Sequence, residues 1–268
     1  MFELDPYLKP MGIMVVLAVL WTFESIRPMF AVKSGRLRHD VNNLAIGIFN
    51  ALLAGLIFSA LMLTVTVWSA NQKIGLLHHM ELMPWLELLI GLLLFDCWQY
   101  CWHRLNHRVQ FLWRFHAVHH SDAAMDASSA LRFHSIEILY STTARLIVLP
   151  LIGLSLHQVM IYEIILLPII LFQHSNIALP ERLDKLLRVI IVTPRIHWVH
   201  HSCVKQETDS NYASLLSIWD RLFASFKLRD DPQNIVFGLG KRFDDSEWNS
   251  LPGMLKQPFN AALYKKNL

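Results

Sequence analysis

The chain has 268 residues, with 24 Lys and Arg against 21 Asp and Glu, a formal net charge of +3 with histidine neutral. Hydrophobic residues make up 54% and charged residues 17%, against about 25% charged in a typical soluble domain, and the mean hydropathy is +0.35. These values exclude a disordered chain and argue against an ordinary soluble enzyme. No basic cluster interleaved with exposed aromatics stands out, so nucleic acid is not expected as a partner. Three cysteines cannot build a disulfide framework, whereas 14 histidines are unusually many.

The apolar residues lie in long blocks, and a membrane span needs about 20 of them. The first block runs from about 11 to 26, after Pro10 and before Arg27 and Pro28. Glu3, Asp5 and a single Lys9 precede it and no small-residue cleavage site follows, which does not fit a signal peptide. The second block covers 41–70, long enough to cross with tilt. The third, 82–102, opens with Met83 and Pro84 and is interrupted only by Glu87, Asp96 and Gln99. The fourth, 136–172, contains Pro150, Gly153 and His157 near its middle and reads as a helical hairpin turning around 153–157. Beyond Gln173 the apolar runs shorten into a polar-facing helical cap.

Lysine and arginine placement sets the orientation. Arg27, Lys33, Arg36 and Arg38 lie between the first two blocks, only Lys73 between the second and third, and Arg104, Arg108, Arg114 and Arg132 after the third. The first and last of these segments are expected on the cytoplasmic side. His134 and His174, which flank the hairpin, then fall on that same face with the other histidines between 103 and 201, apart from His157.

Three histidine clusters carry the chemistry. His103 and His107 stand four apart; His116, His119 and His120 form an HxxHH pattern; His197, His200 and His201 repeat it. On a helix the HxxHH rings span an arc of about 100°, so all three can face one centre. Random placement of so many histidines gives HxxHH only about 0.04 times in such a chain. Eight imidazoles clustered near a membrane surface would be costly unpaired, and metal binding satisfies them. His134 and His174 are two further candidate ligands. Ten imidazoles exceed what one ion takes, so two metals are expected. Imidazole suits iron, zinc, copper and nickel rather than magnesium or calcium. His39, His78, His79 and His157 have no partner at ligand spacing and read as structural. Asp96 precedes His103 by seven residues, about 20° off its helical face, and is expected to accept an imidazole N–H, with Arg104 as the competing partner. Glu137, Tyr100, Asp126, Asp209, Asn211 and Asp220 can serve in the same way or as caps and surface pairs.

These motifs resemble a known family. Asp96, Tyr100, His103, Arg104 and His107, followed by Leu112, Trp113, Arg114, Phe115, His116, His119, His120 and Ser121, resemble the fatty acid hydroxylase superfamily. Arg132, His134 and Glu137, then His174 to Asn176, Thr193 and Pro194 with the last cluster, and Asp209, Asn211, Tyr212, Trp219, Asp220 and Phe223 are similar to its largely bacterial sterol desaturase branch. The resemblance covers roughly residues 90–228. Ala213 and the pair Ala224 and Ser225 stand where glycine and Gly-Thr are expected, and Ser128 and Ser129 replace a threonine pair.

The resemblance implies a non-haem di-iron centre that uses O2 to hydroxylate or desaturate a lipid. The eight clustered histidines carry over as ligands, and His174 and His134 from the branch motifs. Each turnover needs two external electrons. No Gly-rich dinucleotide loop follows a strand and no cysteine set fits an iron–sulfur cluster, so a separate donor is expected, a ferredoxin or a cytochrome with its reductase.

The expected fold is an all-α integral membrane protein of about four to five transmembrane or hairpin helices, with a cytoplasmic helical cap holding a histidine-rich dimetal site. Its expected parts are N-terminal spans at 1–80, a catalytic domain at 81–228 and a cytoplasmic tail at 229–268. Two other readings compete. A membrane zinc hydrolase lacks HExxH and a glutamate base beside a histidine pair; a non-catalytic metal carrier should place ligands along a path rather than at one face. A bacterial inner membrane is the expected location. Lys265 and Lys266 have the form of a dilysine retrieval signal, which would matter only in the endoplasmic reticulum of a eukaryotic cell.

Overall fold

The computed structural model describes residues 8–32, 34–240, 243 and 247–264. The charges noted at Glu3, Asp5 and Lys33 and the pair Lys265 and Lys266 lie outside the described residues. Among those described there is no strand, only isolated bridges such as Ile191 to Leu216 and Ser202 to Phe237. Six helices build the body: α1 (Leu8–Ile26), α2 (Arg36–Asn71), α3 (Pro84–Arg108), α4 (Gln110–His120), α5 (Ser135–Ile152) and α6 (Leu156–His174). Helix α1 packs on α6, α2 on α5, and α3 on both members of the α5/α6 pair.

Among the described residues, three helical stretches are long and apolar enough to cross a membrane: Arg36–His79, Ser135–Ile152 and Leu156–His174. Helix α1 adds the shorter apolar run Met11–Ile26. Helix α3, expected as a span over 82–102, is 25 residues long but falls outside that set. Glu87, Asp96 and Gln99 dilute its apolar character, and Asp96 is buried against protein.

The hairpin forms where proline and glycine foretell it. Pro150 sits inside the last turn of α5, and Gly153 closes the helix at φ 91, a left-handed conformation that glycine adopts without strain. Ser155 then caps α6 and Gln158 reaches back in a reciprocal capping box, so His157 already lies in α6. Leu77, Phe95, Leu149, Leu154, Tyr162 and Leu166 pack this end of the bundle.

A helical cap closes the other end. It comprises the 3₁₀ turn Ala127–Leu131, α7 (Glu181–Leu187) and α8 (Pro194–His200). The first part of α2 docks on it. A Cβ at Gly47 would stand 2.9 Å from Leu131 Cβ, so glycine is what permits the close approach. Asn43 donates to Ser128 Oγ at 3.0 Å, and Asn50 donates to the Phe133 carbonyl at 2.7 Å. His39, read as merely structural, pins the same junction between Asp122 at 2.8 Å and Asp126 at 3.1 Å. Described residues after 229, expected as a tail, fold back onto the cap. Met254 packs with Ile46 and Val118, and buried Arg132 donates to the Trp248 carbonyl and the Asn249 side chain.

Candidate metal centre

Four elements converge on the inner face of the cap. Helix α3 ends with His103 and His107, α4 with His116, His119 and His120, and α6 with His174; α8 carries His197 and His200, and His201 closes it. Nine of the ten expected histidines fall into two groups, in each of which one ring nitrogen per residue lies within 4.8 Å of all the others. His103, His107, His116, His120 and His200 form the first group, and His119, His174, His197 and His201 the second. Each HxxHH motif is split between them: His116 and His120 enter one group while His119 enters the other, and His200 separates from His197 and His201.

Outer hydrogen bonds determine which nitrogen faces inward. His103 Nδ1 donates to the Tyr212 carbonyl at 2.8 Å, His116 Nδ1 to Glu137 at 2.7 Å, and His200 Nδ1 to the Ser210 carbonyl at 2.6 Å. A neutral imidazole has one N–H, so each of these rings must present an Nε2 lone pair to the centre. Those lone pairs meet head on: His103 Nε2 lies 3.1 Å from both His116 Nε2 and His200 Nε2. In the second group His174 Nδ1 donates to the Ile170 carbonyl at 2.7 Å, and its Nε2 stands 3.1 Å from that of His119 and 3.0 Å from that of His197. Converging lone pairs repel unless a cation lies between them.

The spacing fits an ion. With metal–nitrogen bonds of about 2.0–2.1 Å, nitrogens at right angles stand about 3.0 Å apart, and tetrahedral ones about 3.4 Å. The 3.0–3.1 Å separations match the right-angled arrangement of a five- or six-coordinate ion. Both ring nitrogens of His107 and His120 are buried without a hydrogen-bond partner, and ligation through one nitrogen of each ring would satisfy that one; Nδ1 of His119, His197 and His201 also lacks a partner but faces away from the centre on which their Nε2 atoms converge. Burial, followed by the neighbouring imidazoles, holds His119, His120, His197 and His201 well below the usual imidazole range, and burial pushes His200 down to about 3. All are therefore neutral, the form that binds metal.

Two expected site residues lie elsewhere. His134 joins neither group: it caps α5, its Nδ1 accepting from Ile136 N at 3.1 Å and its Nε2 facing the Leu255 carbonyl at 3.1 Å. Asp96 contacts no histidine. It accepts from Tyr162 Oη at 2.6 Å, Trp219 Nε1 at 2.7 Å and Leu216 N at 3.1 Å, tying α3 to α6 and to the cap. Arg104, its expected competitor, instead donates to Tyr100 Oη.

Glu137 accepts from His116 Nδ1, one of the roles its sequence position left open. Asp220 acts one step further out, accepting from Tyr212 N at 2.7 Å and thereby steadying the carbonyl that orients His103. Asp209 lies 3.9 Å from His107 Nδ1, Asn211 braces the Ile196 carbonyl, and Asp126 caps the 127–131 turn. The carbonyls of Ile170, Ser210 and Tyr212 were not foreseen, because a backbone acceptor leaves no mark in the sequence. Gln173 and Trp113 were also missed. Trp113 packs on His107 and His120 with ring centroids 4.9 and 5.3 Å away.

Fold and site together define an all-helical protein with membrane-length helices and two histidine groups able to bind metal. Residues 88–225, just over half the chain, match the fatty acid hydroxylase family model, and the chain belongs to that family. It is 33% identical to ornithine lipid hydroxylase OlsE of Rhizobium tropici over 153 residues, 57% of this chain and 45% of that protein. It is 27% identical to alkylglycerol monooxygenase of Homo sapiens over 230 residues, 83% of this chain and 46% of that one. It is 22% identical to cholesterol 25-hydroxylase of Rattus norvegicus over 166 residues, 60% of this chain and 53% of that one. The chain thus spans about half the length of these curated relatives. No solved structure matches it.

Proposed function

We propose that this chain is a membrane-bound di-iron oxidoreductase that uses O2 to hydroxylate or desaturate a lipid. The observation that carries the reading is the forced convergence of Nε2 lone pairs on two adjacent centres. His103, His107, His116, His120 and His200 would hold one iron, and His119, His174, His197 and His201 the other. Bound there, the irons would supply O2 activation and oxidation of an unactivated C–H bond.

The chain's own residues do the rest. Glu137 and the Tyr212, Ser210 and Ile170 carbonyls keep the proton on Nδ1 of their histidines and so keep Nε2 free for metal. A cavity of about 400 Å³ opens between α2, α3, α5 and α6 onto His103, His116, His119, His174 and His197. Its walls are largely apolar, which excludes water and aligns a hydrocarbon with the centre. Phe133 lines the same cavity, stacked on His119 at 4.3 Å between ring centroids.

In this proposal residues 81–228 form the catalytic unit, the cap faces the cytoplasm, and a bacterial inner membrane houses the protein. Electrons come from a separate ferredoxin or cytochrome. Arg104 and exposed Arg108, beside Phe223 and buried Tyr212, form a basic face one ring contact from His103 and His107 where an acidic donor can dock.

The test is metal content and O2-dependent lipid oxidation by detergent-purified protein expressed with added iron. Two irons per chain and oxygen incorporation into, or hydrogen loss from, a co-purified lipid are expected. One zinc and no iron would overturn the reading in favour of hydrolysis.

A further inference from the structure

The cavity that opens onto the histidines has largely apolar walls, Gly47, Ala51, Ala54, Ile138, Leu166 and Ile170 among them, and it is also lined by the ion pair of Arg145 and Glu163, 3.1 Å apart. On α5 the step from Glu137 to Arg145 is eight residues (145 − 137), about 12 Å along the helix axis.

Most buried polar side chains facing this space are satisfied. Asn50 bonds the Phe133 carbonyl and Ser135, Asn106 bonds the Trp102 carbonyl and Tyr140, and Ser141 accepts from Trp102. Besides the histidines themselves, two at the histidine end are not. Gln173, 2% exposed, leaves Oε1 without a partner, and Glu137, 4% exposed, spends Oε1 on His116 but leaves Oε2 without one. Both side chains line the cavity, and each is tied to the metal centre: Gln173 directly precedes His174, and Glu137 orients His116. Both orphaned atoms are acceptors. A ligand that satisfies them must bring a donor.

We infer that Gln173 and Glu137 read a hydroxyl or N–H group on the substrate, placed within a few atoms of the carbon that is oxidised. This deepens the lipid-oxidising reading and rests on it. The substrate class is a lipid with a hydrogen-bond donor at the mouth of the cavity and a single hydrocarbon chain running down toward Arg145. Wholly apolar chains and lipids whose donor is capped fill the same space but leave two buried acceptors unmet.

The experiment measures binding rather than turnover. Metal-loaded protein in detergent is titrated with a long-chain vicinal diol and with the dimethyl ether of the same diol, and bound lipid is counted by native mass spectrometry. The diol is expected to bind at least about tenfold more tightly than the ether. Gln173→Leu is expected to shrink that ratio severalfold while keeping affinity for the ether. Equal binding of the two lipids by the unmodified protein would overturn the inference, as would Gln173→Leu and Glu137→Leu variants that both keep the full ratio. Neither result bears on whether iron and O2 oxidise a lipid, which the metal and product measurements decide separately.

Discussion

The two histidine groups are close neighbours built on different principles. In the five-membered group three rings are locked from behind by Glu137 and the Tyr212 and Ser210 carbonyls. In the four-membered group only His174 has such a lock, and Nδ1 of His119, His197 and His201 has no partner. An outer hydrogen bond fixes ring orientation and raises ligand basicity. The first group is therefore the more pre-organised site, while the second would take much of its order from an ion bound there. With fewer protein ligands, an ion in the second group would have more room for an exchangeable partner.

The largest test removes a lock. Glu137→Leu strips the outer acceptor from His116 and is expected to weaken metal binding at the five-membered group about 10- to 100-fold. Titration with limiting iron should then show one strong site per chain and one weak one. Equal weakening of both sites would erase the distinction between the groups.

Acid offers a second test. Burial depresses His200 from 6.5 to about 3 and holds His119, His120, His197 and His201 well below 6.5. The unfolded chain takes up protons that the folded site refuses. The contribution of these residues to stability is thus complete above pH 6.5 and is lost as pH falls from there toward 3. Bound metal should be lost over the same window, and should leave in two steps, first from the group with the single lock. Metal content of dialysed samples across that range checks this; a single step would contradict the comparison.

The smallest effect concerns Ala224, which adopts φ 55 where the family resemblance leads one to expect glycine. Its neighbour Ser225 donates to Asp220, which steadies Tyr212 and through it His103. Ala224→Gly should raise unfolding stability by about 1 kcal/mol by relieving the left-handed strain, with metal stoichiometry unchanged. Thermal unfolding in detergent measures it.

Helix periodicity and histidine spacing make much of this molecule legible in its sequence. The hairpin turn follows from Pro150 and Gly153, and nine of ten candidate ligands converge. The rest depended on contacts across the chain. Asp96 sits on the expected face of α3, but Tyr162 and Trp219 reach it from 66 and 123 residues away, which local geometry cannot foresee. His134 lies between two clusters in sequence, yet it is the residue that starts α5, and capping claims its ring. The sorting of each HxxHH motif into two groups was likewise hidden, since neighbouring rings at 100° to each other can serve one ion or two.

Helix α2 also works as a depth gauge. Its contacts with the cap end near Asn50, and the 21 residues from Ala51 to Asn71 (71 − 51 + 1) rise about 31 Å, close to the thickness of the bilayer's hydrocarbon layer. The close fit of Gly47 on Leu131 sets the cap at a fixed height on that helix. On the proposed function, this stacking holds the oxidising centre at the upper boundary of the hydrocarbon. The carbons within reach are then those nearest a lipid's headgroup, selected by altitude before any side chain reads their chemistry.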